Sequence, residues 1–465
     1  MATETRLRPV STPVGLPRDS AAYFAGLSRA PFPFLIDWTD PGLNDGGWTI
    51  MGSNPFLVLI AKGERITEWR AGRSRSWDGD PFAALQAALQ EFAVDPAEGE
   101  DLPFAGAAVG YFGYDLGGRI ERLPRVALDD RGFPDLVLAF HDRAMAIERS
   151  TGMAQVVEVS PRGAARAISL EDYARHFDEP PPLPPWTADR PVVSNFRRDH
   201  YIEAIGKARE YIAAGDVYQV NLSQRFHTRS SQSPLEIYEK LRASTPAPYS
   251  ALLEIGARCV ISSSPELFLQ TQGRRVLTRP IKGTRGRGRS PEEDEGMRAE
   301  LLASPKDDAE LAMIVDLERN DLGRVCEPGS IVVSDSKSLE THPTVHHLAA
   351  TVEGRLKPGA GPVDLLRATF PGGSVTGAPK IRAMEIIDEL EPTRRAAYTG
   401  AIGRIGLDGQ VALSVAIRII EKHGEDAWFQ AGGGIVSDSD PEREYEETLV
   451  KAAGIVRALG LDLPG

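Results

Sequence analysis

Between Asp178 and Pro191 the chain cannot form regular structure, because six prolines fall within the twelve residues Pro180–Pro191. Proline has no backbone N–H and a fixed φ, so such a stretch is stiff, extended and unable to donate to a sheet ladder. It divides the sequence into an N-terminal region, residues 1–180, a linker, 181–194, and a C-terminal region, 195–465. Phe56–Ala61 and Ala154–Val159 are predicted strands, and Phe82–Phe92 a helix with Leu85, Leu89 and Phe92 at helical spacing. Past the linker, Asp199–Ala214 is a predicted helix with Gly215 as its stop. Ser290-Pro291-Glu292-Glu293 reads as a capping box with proline at the first helical position. Ser304-Pro305 opens a helix to about Asp321, Pro379 opens one that ends at Pro392, and Asp440-Pro441 opens the last. Strands are expected at Arg258–Ser262, Ile331–Ser334 and Val411–Ile420. This order is neither a repeat nor a regular βαβ alternation, which favours an α+β fold.

Charge and cysteine usage narrow the setting. Across 465 residues, 53 basic and 66 acidic side chains leave a net charge of −13, which disfavours a surface built to grip nucleic acid or anionic membrane. Cys259 and Cys326 are too few for a disulfide framework or a four-thiolate zinc site, so both read as buried free thiols. Met1–Gly15 lacks the layout of a secretory signal, and no apolar run is long enough to span a bilayer. A cytoplasmic, reducing setting is expected.

Three constellations carry possible chemistry. Seven cations crowd into Arg274–Arg289: Arg274, Arg275, Arg279, Lys282, Arg285, Arg287 and Arg289. A solvated loop is the plain account; a non-catalytic anion or nucleic-acid binder is another, although aromatic stacking residues are missing from the run. A third account makes Lys282 a nucleophile, since neighbouring cations favour its neutral form. In the last helix Glu444, Glu447 and Lys451 share one face, opposite Tyr445, Leu449, Ala452, Val456 and Leu459. Together with Glu310 on the helix after Ser304-Pro305, they form either a Mg²⁺ site or an ordinary solvated face with one Glu–Lys pair. Ala431-Gly432-Gly433-Gly434 reads as a loop whose bare amides could meet a carboxylate or phosphate, or as a tight bend. Phe370-Pro371-Gly372-Gly373-Ser374 is equally open. His342, His346 and His347 have no HExxH spacing, so zinc is not expected.

Read in order, the motifs resemble the chorismate-utilising enzymes, and within them the component I branch of the aminodeoxychorismate synthases, related to anthranilate synthase component I. The matching segments are Gly110–Asp115, Gly215–Phe226, Ser264-Pro265-Glu266, Pro280–Thr284, Asp316–Asp321, Phe370–Lys380 and Asp440–Lys451. The resemblance implies antiparallel sheets forming a β-sandwich core surrounded by helices. It also implies Mg²⁺ held by Glu310 and Glu447, with Glu444 beside them on the same helical face. Gly433 and Gly434 would meet the ring carboxylate of chorismate, and Arg418 and Tyr398 its enolpyruvyl carboxylate. Lys451 would lie near the metal, and His347 and Ser374 would line the ring pocket. Gly283 and Thr284, beside Lys282, would belong to the same substrate-binding surface.

Two positions separate branches of the family. Lys282 stands where anthranilate and isochorismate synthases typically carry alanine, which implies a covalent lysine intermediate with Glu266 as the acid for the departing C4 hydroxyl. Gln219 stands where water-using members carry a lysine base. Phe34–Trp38 replaces the Leu-Leu-Glu-Ser motif of tryptophan-inhibited anthranilate synthases, so tryptophan feedback is not expected. Arg285-Gly286-Arg287 replaces the more usual Arg-Pro-Arg. Neither cysteine has a glutaminase-like setting, so ammonia is expected from a separate glutamine amidotransferase subunit (component II) or from solution. No fused lyase releasing 4-aminobenzoate is expected before Gly465. The implied activity is Mg²⁺-dependent amination of chorismate at C4 for folate synthesis, with anthranilate synthase component I as the alternative.

Overall fold

The computed structural model describes residues 10–14, 20–39, 47–70, 72–95, 102–159 and 192–461. The proline stretch 180–191 lies outside the described residues. The last residues of the expected linker, Val193–Ser194, pair antiparallel with Gln219–Arg229. Among the described residues the strands form two sheets of 12 strands each, α+β in class and antiparallel throughout their ladders, with helices outside them.

Both regions of the sequence contribute to both sheets. In the first sheet Phe34–Trp38 pairs with Tyr249–Ile255. In the second, Ala107–Phe112 pairs with Ala401–Gly406. Each region covers an edge that the other would otherwise leave as a row of unpaired backbone groups. The facing layers meet in a core of Phe34, Ile36 and Ile50 from the first sheet with Val109, Tyr111, Val137 and Ile402 from the second. These are alternate, inward residues of their strands.

Helix ends follow the capping signals with one exception. Asp440 accepts from the Arg443 amide, Pro441 takes the first position of Pro441–Leu459, and Gly460 closes that helix at φ +66°. Ser304 likewise caps Pro305–Gly323 through the Asp307 amide. At Pro291–Leu302 only half of the expected box forms. Ser290 accepts from the Glu293 amide, but the Glu293 carboxylate turns to the Arg289 amide instead. The buried stripe of Pro441–Leu459 also differs from the expected one. Glu444 and Thr448 join Ala452, Ile455, Val456 and Leu459, while Tyr445 and Leu449 are only partly covered.

Two strand expectations are corrected. Val411–Ile420 is not one strand: Val411–Val415 belongs to the second sheet and Ile419–His423 to the first. The crossing at Ala416–Arg418 turns on Arg418, whose φ of +51° is rare for a residue with a side chain. Ala431–Gly434 is not a loop but the end of strand Asp426–Ile435, with Gly433 opposite Leu222 and Gly434 opposite Asn221. Glycine recurs there because a Cβ on Gly434 would collide with the Gln219 amide, and one on Gly432 with Ser223. Both cysteines are buried free thiols. No described helix is long and apolar enough to cross a membrane.

Candidate active site

Lys282 sits on Ile281–Gly286, an edge strand of the second sheet paired with Val345–Arg355. The register slips between Lys282 and Thr284, where Gly283 adopts φ +67°. Such a one-residue bulge re-aims the neighbouring side chains. A Cβ on Gly283 would press on Leu301 and Asp307, so the bulge seats tightly on the helices behind it. Lys282 Nζ donates to the carbonyl oxygen of Ser374 at 3.2 Å. Burial draws its pKa below the ordinary lysine value, against the carboxylates of Glu310 and Glu266 and with help from Lys451.

Glu266 faces the same ammonium from the turn joining Arg258–Ser264 to Leu267–Gln272, and it is 5% exposed. Burial raises its pKa to about 7, although the Ser374 hydroxyl, Lys282 and the Ile281 backbone all favour its ionised form. A carboxyl whose pKa lies near neutrality, beside an amine held below its usual range, has the chemistry an acid and a nucleophile need. Ser374 joins them: its carbonyl takes Lys282 and its hydroxyl takes Glu266.

Three further carboxylates surround this pair. Glu310 is raised by burial, pulled back by Lys282 and Lys306, and pushed again by Asp307 and Glu447. Glu444 is raised by burial, with the Ser439 hydroxyl opposing and Glu447 adding repulsion. At Glu447 burial works upward, but Lys451, bonded at 2.7 Å, outweighs it and holds the carboxyl low. Gly433 lies in front of them: its missing Cβ would stand 3.2 Å from Glu444 Oε2, 3.8 Å from Lys451 Nζ and 3.9 Å from Glu447 Oε1. Gln219 reaches from the Gly434 side to Glu310, at 3.5 Å. Pairing with Ile419–His423 stops at Phe429, so one edge of the glycine strand is open, and Lys451 donates there to the Gly432 carbonyl.

Glu310, Glu444 and Glu447 supply hard oxygen donors, the first two raised by burial and by the charge of Glu447. That chemistry suits a divalent cation such as Mg²⁺, which takes one or two carboxylates and keeps water or substrate oxygens in its remaining positions. Among the described residues no three acidic, imidazole or thiolate groups enclose a metal site unaided.

Arg418 and His347 lie near one another at the site. Burial alone lowers the Arg418 pKa to about 10, and among the described residues no carboxylate pairs with it. A half-buried guanidinium without a counter-charge is a ready partner for an anion. His347 is pushed down to about 3 by burial, with Arg418, His342 and Lys451 adding to the effect, so its ring is neutral. Its Nδ1 meets the Thr284 hydroxyl at 3.0 Å, while its buried Nε2 has no partner among the described residues. Tyr398, 4% exposed, packs in one core cluster with Ala416 and Ile419, and the Thr399 amide bonds the Ala416 carbonyl. Tyr398 thereby belongs to the wall behind Arg418.

Five of the six arginines in the basic run, all but Arg289, resolve into specific pairs. Arg274 bonds Glu327, Arg275 bonds Glu353, Arg279 bonds Glu340, Arg285 bonds Glu300 and Asp307, and Arg287 bonds Asp294. Cations already neutralised in this way offer little to a polyanion. A separate hollow of about 730 Å³ is lined by Asp37, Arg149, Arg242 and His342, and there too the charges pair, Asp37 with both arginines. Among the described residues, the cluster around Lys282 brings an acid, an amine and an unpaired guanidinium together.

Sequence reasoning passed over Glu318 and the buried pair Arg395–Glu391. Glu310, Ile314 and Glu318 recur at intervals of four along one helix, so a second glutamate on the inward face was a signal available in the sequence.

A protein-family model described as chorismate binding enzyme matches residues 44–457. The chain is 38% identical over 438 residues to the aminodeoxychorismate synthase component 1 of Escherichia coli (strain K12), covering 94% of this chain and 95% of that one. It is 41% identical over 404 residues to an anthranilate synthase component 1 of Haloarcula marismortui, covering 82% of each. Among solved structures, anthranilate synthase component I from Streptococcus pneumoniae superposes with a TM-score of 0.76 at 31% identity, covering 88% of this chain and 92% of that one.

Proposed function

The chain belongs to the chorismate-binding enzymes, and from that premise we propose that it aminates chorismate at C4 with ammonia, as component I of a two-component aminodeoxychorismate synthase. One observation carries this reading: Lys282, bonded to the Ser374 carbonyl with its pKa lowered by burial, lies in a cluster with Glu266, whose pKa burial raises to about 7. In the proposed sequence the neutral Lys282 amine bonds to ring C2, the ring double bonds shift, and the C4–O bond breaks. Glu266 gives its proton to that oxygen, which leaves as water. Ammonia then bonds to C4, the double bonds return, and the C2–N bond to Lys282 breaks. Surplus protons on nitrogen restore Glu266. The sum is chorismate plus ammonia giving 4-amino-4-deoxychorismate plus water.

Mg²⁺ held by Glu310 and Glu447, with Glu444 beside them, would supply positive charge against a ring carboxylate. Gly433 and Gly434 leave room for that carboxylate, Arg418 takes a second one, and neutral His347 offers its free Nε2. Tyr398 backs Arg418, and Thr284 holds the His347 ring. Gln219, an amide, cannot deprotonate water at neutral pH, which favours ammonia over water as the second nucleophile. Ammonia would come from a separate glutamine amidotransferase subunit.

The comparisons favour a second reading, anthranilate synthase component I. The higher of the two quoted identities belongs to that branch, as does the quoted solved structure. Lys282→Ala separates the two. Loss of turnover with ammonium supports the covalent route at C4, whereas full turnover to anthranilate supports the alternative.

A further inference from the structure

Ser374 is the link between Lys282 and Glu266, and it lies in a turn held from outside by Arg395, which donates to the Val375 carbonyl at 3.1 Å, and by Glu318 on the side of Gly373. Within Gly372–Thr376 the turn bonds to itself. The Thr376 amide meets the Gly373 carbonyl at 3.3 Å, and the Thr376 hydroxyl meets the carbonyls of Gly372 and Gly373 at 3.0 and 3.2 Å. The Gly373 amide points the other way and donates to Glu318 Oε1 at 3.1 Å. This contact is close-fitted: a Cβ on Gly373 would stand 2.6 Å from Leu317 Cδ2 and 3.1 Å from Glu318 Oε1. Glu318 is 2% exposed, and its Oε2 is buried with no partner among the described residues.

We propose that Glu318 is a positioning residue of this site: through the Gly373 amide it holds Ser374 where the carbonyl receives Lys282 and the hydroxyl meets Glu266. The inference rests on the reading of Lys282 and Glu266 as the reacting groups. Three charged groups face Glu318. Asp321, on its own helix, is already paired with Lys380 from helix Lys380–Leu390, and Glu266 faces it across the turn. Burial, then Asp321, raises the Glu318 carboxyl, which Lys380 and the Gly373 amide oppose. The balance leaves the Glu318 carboxyl raised above the ordinary carboxylate range. Its ionisation at higher pH places a negative charge toward Glu266 and raises that acid further.

Glu318→Gln keeps an oxygen acceptor for Gly373 and removes the ionisation; Glu318→Leu removes both. Two readouts test the proposal with Mg²⁺ and ammonium present. One is total chorismate consumption against pH, which is indifferent to amination at C2 or C4. The other is the pH midpoint of Lys282 acetylation by acetic anhydride, followed by mass spectrometry, which needs no turnover. E318L should lower kcat about 10- to 100-fold with KM nearly unchanged, as expected for misplaced reacting groups, and should shift the Lys282 midpoint. E318Q should keep kcat near pH 7 and alter the alkaline limb of the profile. Thermal unfolding checks that each variant is folded, and Glu318→Met replaces E318L if that variant does not fold. Wild-type kcat and an unchanged Lys282 midpoint in E318L, or in Glu318→Met where it stands in, would overturn the proposal. So would a fall in E318Q as deep as in the apolar variant. Failure of the C4 reading alone would show as anthranilate among the products, with the acetylation result standing.

Discussion

Lys282 Nζ donates to the Ser374 carbonyl at 3.2 Å, and that single bond orients the amine. A neutral amine that spends one N–H on a carbonyl keeps its lone pair directed away from it. The bulge at Gly283 and the turn at Gly373 set the two ends of this contact. Replacing Lys282 with alanine is expected to lower ammonium-dependent turnover by about 10³-fold or more, since the covalent route is lost outright. Steady-state kinetics with chorismate check this, and wild-type kcat in Lys282→Ala would remove the nucleophile from the mechanism.

Opposite pKa shifts predict a bell-shaped pH profile for kcat. Glu266, raised to about 7, must be protonated to act as the acid, so activity declines as pH rises through that value. Lys282, lowered by burial, must be neutral, so activity declines as pH falls below its own pKa. Glu266→Gln is expected to abolish the alkaline limb together with most of the rate. An alkaline limb that survives in Glu266→Gln assigns it to another group.

Two raised carboxylates near a third predict dependence on a divalent cation. Excess EDTA should abolish turnover and added Mg²⁺ should restore it. Glu447→Gln should weaken Mg²⁺ binding, measured calorimetrically with the metal alone, by about tenfold or more. Full activity in excess EDTA contradicts the assignment of these glutamates.

The pair Arg395–Glu391 anchors the segment that carries Tyr398. Arg395 is 1% exposed and bonds Glu391 through Nη2 at 2.6 Å and Nε at 2.9 Å. Arg395→Met leaves Glu391 buried without its counter-charge and should cost about 3–5 kcal/mol in denaturant unfolding. The double variant Arg395→Met/Glu391→Leu should recover part of that loss. A cost below about 1 kcal/mol for the single change would show that the pair adds little.

Local signals in the sequence located the helices opened by Ser290, Ser304 and Asp440, because proline, serine and aspartate caps act within one turn, but Ser20–Leu27, Pro234–Ser244 and Pro362–Thr369 were passed over. The same signals could not see Arg418. Val411–Ile420 is apolar but for Ser414 and Arg418, an ordinary composition for one strand, so its local pattern does not announce that the chain leaves one sheet for the other. Gly432–Gly434 was legible as important but not as a strand, since its glycines answer to Gln219, Ser223 and Glu444 more than two hundred residues away or across a neighbouring helix. Glu444 and Glu447 were rightly placed on one helix with Lys451. Which of them lies buried depends on packing against the glycine strand. The seven cations of 274–289 looked alike in sequence; the fold separates Lys282 from five arginines that already have partners.

Product identity tests the proposed chemistry most directly. Chorismate, Mg²⁺ and ammonium, incubated with the protein with and without a glutamine amidotransferase subunit, should yield 4-amino-4-deoxychorismate, resolved by chromatography and mass. Anthranilate as the main product would contradict amination at C4 and give Lys282 a different task.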